Sequence, residues 1–251
     1  MTPAEAAAFV QQELSREIIM EPSNLEEQAV KMIGRRLYDA FIKGYTTKQW
    51  GKHPRDLPAA IFSRLPIRFC YNNDYFSDPW QGIPLNGYGR LFDRMLSTPG
   101  IELHTETDYF RVRDSLPKHS CLVYTGPIDR FLDYSYGRLE WRSVRFEREI
   151  HDIDDYQGTA VMNYVDPDIP FTRIHEFKHY QPERARGTKT VIYREYAEAT
   201  SMDGDPYYPV NTHRKNRNCS SSTRLSVRQS TRTFFLAGVL VHTLTLTWMM
   251  P

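Results

Sequence analysis

The sequence has no Gly-x-Gly-x-x-Gly run among its 13 glycines. The strand, glycine turn and helix that lay backbone amides on a dinucleotide pyrophosphate are therefore not written in it. Its three cysteines, Cys70, Cys121 and Cys219, are far apart, show no CxxC spacing and are odd in number. That excludes a disulfide framework and points to a reducing compartment. The formal net charge is only +1, so no global basic field would hold nucleic acid, and any anion site must be local. The N-terminus, MTPAEAAAFVQQEL, lacks a basic region followed by an apolar run, so no secretory signal is read and the cytoplasm is the expected location. Acidic residues stop at Asp205, while Arg214, Lys215, Arg217, Arg224, Arg228 and Arg232 crowd the stretch that follows. With 251 residues and 40% hydrophobic content, the chain has room for one large domain or two small ones.

What is present divides by texture. Thr2, Pro3 and Glu5 read as N-cap, N1 and N3 of a helix through Leu14, and Ser23 with Glu26 reads as a second capping box. In that second helix Leu25, Ala29, Met32, Ile33, Leu37, Ala40 and Phe41 recur at helical spacing, with Gly44 as the expected stop. From about Arg68 the pattern changes to short alternating runs punctuated by Gly, Pro, Asn and Asp, with one helix over Arg90 to Leu96. Expected strands are Ile101 to Thr105, Cys121 to Thr125, Arg138 to Glu149, Thr159 to Val165, Thr172 to His179 and Lys189 to Tyr196. The apolar phase switches between Trp141 and Val144, which predicts a bulge. Three regions result: a helical subdomain over residues 1–65, an antiparallel-sheet domain over 66–205, and a divergent tail over 206–251.

The densest chemistry lies between Lys43 and Tyr88. Tyr45, Trp50, Tyr71, Tyr75, Phe76, Trp80 and Tyr88 supply flat faces, and Arg64 and Arg68 supply planar forks suited to phosphate oxygens. That combination describes a nucleotide-diphosphate pocket. His151, His175 and His179 have no metal-ligand spacing and read as sheet residues, and Asp152, Asp154 and Asp155 read as a polar turn.

The motifs KGYTTKQWG at 43–51, Pro-Ile-Arg-Phe at 66–69, YFSDPWQGIP at 75–84 and YTGPIDRFLDYSYGRLEWRS at 124–143 resemble those of bacterial UDP-galactopyranose mutases. FTRIHEFKHY at 171–180 and GDPYYPVNT at 204–212 keep the same order. The resemblance covers residues 1 to about 212. It implies an isomerase that interconverts UDP-galactopyranose and UDP-galactofuranose for cell-surface galactofuranose synthesis. Reduced FAD is the nucleophile, UDP is handle and leaving group, and the family forms homodimers. By the same resemblance Tyr45 matches the tyrosine that stacks on uracil, and Phe41 and Trp50 match aromatics flanking nucleotide and sugar. Arg64 and Arg173 match the diphosphate arginines, and Tyr75 and Tyr207 match tyrosines that donate to the phosphates. Without it, Phe41 reads as a core residue, Tyr45 and Trp50 as packing residues, and Arg64 as a solvated charge.

The sequence also departs from that pattern. The glycine-rich flavin half is missing, and Met1 stands just ahead of the helical segment, as though translation began inside a longer coding region. Beyond Thr212 the family's Gly-Arg-Leu-x-x-Tyr-x-Tyr-x-Asp-Met flavin motif is not legible, yet the codons of Ala237 to Met250, read one base out of step, permit it. A frameshift near Thr212 and His213 is therefore expected. The competing reading of Phe234 to Met250, a largely apolar run interrupted by His242 and threonines, is a short tail anchor; a membrane role is not expected. The fold expected is α+β, the helical subdomain and antiparallel sheet of a larger α/β FAD-binding flavoprotein, with apolar surface left exposed where flavin-domain strands would lie. The activity expected is that of a mutase, truncated and inactive alone. The alternatives are a flavin-free UDP-sugar-binding module and a non-functional gene remnant.

Overall fold

A computed structural model describes residues 2–63, 67–72, 78–117, 121–181, 183, 187–199, 206–209 and 233–236. Helix α1 (Pro3–Leu14) begins as its sequence dictates: the Thr2 hydroxyl accepts from the Glu5 amide while the Glu5 carboxylate accepts from the Thr2 amide. Helix α2 (Leu25–Ile33) starts one residue later than the expected box. Asn24 is its N-cap, and the Glu27 carboxylate takes the Ser23 amide and hydroxyl. The shift frees Glu26 to turn inward.

The expected stop at Gly44 is not where the helix ends. The chain breaks at Gly34, whose φ of +81° suits glycine and whose added Cβ would lie 2.5 Å from the Glu13 Cβ of α1. It restarts at once as α3 (Arg35–Leu37), widens into a π-helical segment (Tyr38–Ile42), and continues as α4 (Lys43–Trp50). Gly44 lies within α4 and has a different duty. A Cβ there would fall 2.2 Å from the Val165 carbonyl oxygen, so the glycine lets the helix touch the sheet domain. A 3₁₀ turn (Pro54–Asp56) and α5 (Ala60–Ser63) complete the helical part. Its core is Leu25, Ala29, Val30, Tyr38, Leu57 and Phe62, each large apolar side chain contributing about 1.5–3 kcal/mol on burial. Glu26, buried among them, accepts from Arg35 at 2.8 Å, Arg55 at 3.0 Å and the Tyr38 hydroxyl at 3.0 Å. Burial pushes its carboxyl up, but the hydrogen bonds from Arg55, Arg35 and Tyr38 outweigh it and hold the pKa at about 2.

Between the two larger parts lie α6 (Gly87–Leu96), α7 (Tyr109–Val112), β1 (Cys121–Tyr124) and α8 (Ile128–Phe131). Tyr109, Phe110, Tyr124 and Phe131 pack there as an aromatic cluster. Strand β1 pairs in parallel with β7 (Thr233–Leu236). The expected strand over residues 101–105 is not formed.

The main sheet contains β2 (Trp141–His151), β3 (Val161–Asn163), β4 (Arg173–His175), β5 (Thr190–Ala199) and β6 (Tyr208–Pro209), in the order β3-β4-β5-β2-β6, with antiparallel pairing throughout. The expected bulge is absent. Pairing of β2 with β5 runs without interruption from Arg142 opposite Ala199 to His151 opposite Thr190. The phase switch instead reflects weak cover along the strand, where Phe146 and Ile150 both remain exposed. Phe171, Ile174 and Ile192 form the sheet's core, with Tyr156, Tyr164, Ile169 and Tyr196 packed against it. Glu176, wholly buried, accepts from the Tyr156 and Gln157 amides, the Thr190 hydroxyl and Lys178. Those bonds override burial and keep its pKa at about 2.

Candidate functional site

Helix α4 carries Tyr45 and Trp50 to the sheet, and two devices hold it there. One is the close approach at Gly44. The other is Lys48, whose ammonium donates to the carbonyls of Tyr164 at 2.6 Å, Asp166 at 2.8 Å, Ile169 at 3.0 Å and Phe171 at 3.1 Å. Residues 164–171 link β3 to β4, so one side chain from α4 gathers the loop that leads into Arg173. At the helix C-terminus Gly51 has φ +62°, and the Arg142 Nε donates to the Gln49 carbonyl at 3.1 Å, a favourable place for a cation.

These anchors bring three of the expected residues together. The Arg173 guanidinium lies 5.7 Å from the centre of the Tyr45 ring. Trp50 approaches Tyr208, not Tyr207, with ring centroids 6.0 Å apart. Tyr207 stands edge-on to Tyr208 at 4.6 Å and is half exposed. Gln49 hydrogen-bonds the Tyr208 hydroxyl. Phe41 lies in the π-helical segment and is 57% exposed, so it is not the core residue that its apolar character alone suggests. Arg64 and Tyr75 lie outside the described residues.

Arg173 is fixed from below. Its Nη1 lies 3.6 Å from the Glu195 carboxylate and its Nε donates to Asn163 at 3.1 Å. Glu195, 2% exposed, also receives the Thr172 hydroxyl at 3.0 Å and lies 2.9 Å from the His175 ring. Burial raises the Glu195 carboxyl, and the His175 hydrogen bond, the Arg173 charge and the Thr172 bond bring it below the usual carboxylate value. Burial pushes the Tyr45 phenol up to about 12 against the pull of Arg173, and raises Tyr208 in the same way. Both phenols are thus neutral at physiological pH and Arg173 is charged. The Tyr45 hydroxyl is sealed from solvent without a well-aligned hydrogen-bond partner. The result is a planar cation on a buried anionic base, flanked by the faces and edges of Tyr45, Trp50 and Tyr208. Such a surface takes a flat group by stacking and an anion by a forked hydrogen bond.

A sequence model of the UDP-galactopyranose mutase family matches residues 40–240. The chain belongs to the UDP-galactopyranose mutase family. It is 41% identical over 210 residues to a probable UDP-galactopyranose mutase of Klebsiella pneumoniae, covering 83% of this chain and 53% of the relative. It is 38% identical over 215 residues to the dTDP-fucopyranose mutase of Escherichia coli, covering 84% of this chain and 56% of that protein. The chain thus spans about half the length of these curated relatives. A crystal structure of reduced UDP-galactopyranose mutase superposes with a TM-score of 0.54 at 12% identity, covering 93% of this chain and 66% of that one; it supports the fold.

Lys48, Arg142, Glu195 and Tyr208 were not singled out by sequence reasoning. Lys48 sits inside the KGYTTKQWG motif, but its carbonyl partners are more than a hundred residues away. Tyr208 follows Tyr207, and neighbours on a strand face opposite ways. Nothing in a two-residue strand announces its phase.

The described residues do not form a flavin cradle. The strand-turn-helix of β1 and α8 places Gly126 at its turn, but a Cβ there would lie 2.4 Å from the Tyr124 hydroxyl, so the chain's own side chain fills that turn. Gly87 and Gly89 stand in open space at the start of α6, with no described strand leading into them. The cluster Asp155, Glu176 and His179 has ligand atoms within 4.8 Å of one another. Glu176 is already satisfied by two amides, a hydroxyl and the Lys178 ammonium, however, which suits a structural anchor and not a metal ligand.

Proposed function

We propose that this chain forms the nucleotide-sugar side of a UDP-galactopyranose mutase, an isomerase of UDP-galactopyranose and UDP-galactofuranose, and is inactive without a flavin-bearing part. The observation that carries this reading is the convergence of Tyr45, Trp50 and Arg173, drawn from α4 and β4, with Tyr208 from β6. In this reading Tyr45 and Trp50 present faces to the base and sugar, and Arg173 pairs with the diphosphate. Tyr207 and the exposed Phe41 lie on the rim in this reading, and the resemblance assigns Arg64 and Tyr75 to the diphosphate. FAD would supply the electron pair for ring interconversion, and these residues would hold the leaving diphosphate close to where it must recombine. A cytoplasmic location is part of this proposal; no helix among the described residues is long and apolar enough to cross a membrane.

Titration of UDP against the purified chain, followed by tryptophan fluorescence and calorimetry, tests this. Micromolar binding is expected, weakened by roughly 10-fold to 100-fold in Arg173→Ala, as for the loss of a charge-assisted hydrogen bond. No binding, with spectra of a disordered chain, would instead mark a gene remnant. A parallel titration with dTDP compares the two nucleotides named in the relatives.

A further inference from the structure

We infer that His175 is a positioning residue. It occupies one oxygen of the buried Glu195 carboxylate, keeps that carboxylate from closing on Arg173, and so leaves the guanidinium fork open to a diphosphate. This deepens the reading of Arg173 given above and rests on it. By its spacing along the chain His175 is an ordinary sheet histidine, but the register of the sheet gives it a further duty. Alternate residues of a strand share a face, so Arg173 and His175 stand on the same side of β4. Strand β5 sets Glu195 directly opposite Arg173, and Tyr193 opposite His175. One buried carboxylate therefore has two nitrogen-bearing neighbours from a single strand.

The two neighbours do not share it equally. His175 Nε2 lies 2.9 Å from Glu195 Oε2, a hydrogen bond. Arg173 Nη1 lies 3.6 Å from the same oxygen, outside hydrogen-bond distance. The other oxygen, Oε1, takes the Thr172 hydroxyl at 3.0 Å. A carboxylate beside an arginine commonly accepts two parallel N–H bonds from it. Here both oxygens are engaged by other donors, and the arginine Nε donates to Asn163 at 3.1 Å instead. A carboxylate oxygen only accepts, so the proton in the 2.9 Å contact belongs to His175 Nε2.

The imidazole is held in that orientation. It stacks on Phe177 with ring centroids 5.5 Å and planes 18° apart, and Phe146 meets it edge-on at 5.7 Å. The His175 side chain is 12% exposed and that of Glu195 2%, while Arg173 keeps 25%. An anion arriving from solvent therefore meets the arginine first. A guanidinium doubly bonded to a carboxylate would present little net charge, and a phosphate would have to break those bonds to enter. A guanidinium near the carboxylate but not bonded to it is oriented by that charge while its fork stays open. His175 maintains the second arrangement by filling the oxygen that the first would need.

The test compares UDP with uridine, which has the base and no phosphate, by calorimetry on the full chain. His175→Phe keeps a ring against Phe177 but has no donor. It should weaken UDP by about 10-fold, as for a charge-assisted hydrogen bond lost to a competitor, and leave uridine affinity unchanged. Should that variant not fold, His175→Asn carries the same expectation, because its amide stops at the Nδ1 position. His175→Gln, whose amide nitrogen reaches the place of Nε2, should restore UDP affinity. A crystal structure of His175→Phe should show Arg173 Nη1 drawn to within about 3 Å of Glu195. UDP and uridine weakened alike would mark a merely structural histidine and overturn the inference. So would unchanged UDP affinity in His175→Phe, a His175→Gln variant as impaired as His175→Phe, or an Arg173–Glu195 separation still at 3.6 Å. Failure of the nucleotide reading appears separately, as absent UDP binding by the parent chain, and the separation in the crystal then still decides the role of His175.

Discussion

Replacing Lys48 by methionine removes an ammonium while keeping nearly the same length and apolar stem, which makes it a clean test of how the aromatic helix is held. The ammonium lies 2.6–3.1 Å from four carbonyl oxygens. It has three protons, so three bonds are satisfied at a time and the fourth is shared. Hydrogen bonds to a charged group are worth about 1.5–3 kcal/mol each, and a carbonyl stranded without a donor costs about 1–3 kcal/mol. Against these stand the cost of desolvating the cation and the partial exposure of the loop, so a net loss of about 3 kcal/mol is the reasoned value for Lys48→Met. In a chain of this length 1 kcal/mol moves the melting midpoint by about 2–4 °C, so a fall of about 6–12 °C is expected by differential scanning fluorimetry. The loop from Tyr164 to Phe171 should lose amide protection first, and UDP affinity should drop by about 10-fold, because Tyr45 and Trp50 ride on the released helix. Lys48→Arg should not restore either value, since a planar guanidinium cannot converge on four oxygens around one point. A midpoint within about 2 °C of the parent, with unchanged loop exchange, would refute the reasoning.

Gly44→Ala should destabilise the chain by at least about 2 kcal/mol in urea, although alanine is the better helix former by about 1 kcal/mol, because the new Cβ would meet the Val165 carbonyl oxygen at 2.2 Å. The buried carboxylates set an acid limit. Glu26 and Glu176 both fall from 4.5 to about 2 on folding, so the unfolded chain binds more protons and stability is lost as pH falls from about 4.5 towards 2. At about 1.4 kcal/mol per unit, each contributes up to about 3 kcal/mol above that window. Urea melts between pH 3 and pH 7 should show this slope, shallower in Glu176→Gln.

The starts of α1 and α2 were legible to within a residue because capping is local chemistry: Thr2 and Glu5 need only each other, whereas α6, with no side-chain cap, begins at Gly87, three residues before the expected Arg90. The helix stop was not. Gly34 and Gly44 look equivalent along the chain, and only the approach of Glu13 to one and of Val165 to the other separates a terminus from a contact point. The long strands β2 and β5 were evident from alternation, whereas residues 101–105 have the same alternation and stay unpaired, because strand patterning records the sheet a segment is suited to and not whether one is present. At the candidate site, Tyr45, Trp50 and Arg173 were named by resemblance, and the structure places Arg173 beside Tyr45 and Trp50 beside Tyr208. Lys48, Glu195 and Tyr208 were not, because their roles arise from pairings across the fold.

The π-helical segment from Tyr38 to Ile42 carries a consequence for how the site can vary. Its closing bond runs from the Lys43 amide back to the Tyr38 carbonyl, five residues apart instead of four. One extra residue in a helix turns everything after it by roughly 100°. Tyr38, at the start, faces the helical core with no exposure, while Tyr45, after it, meets Arg173 of the sheet and Trp50 sits between the helical core and Tyr208. The direction of the aromatic wall is thus stored as a residue count. Substitutions in the segment away from the buried Tyr38 can be absorbed, but a single deletion would leave the helix intact and turn Tyr45 away from Arg173 and Trp50 away from Tyr208.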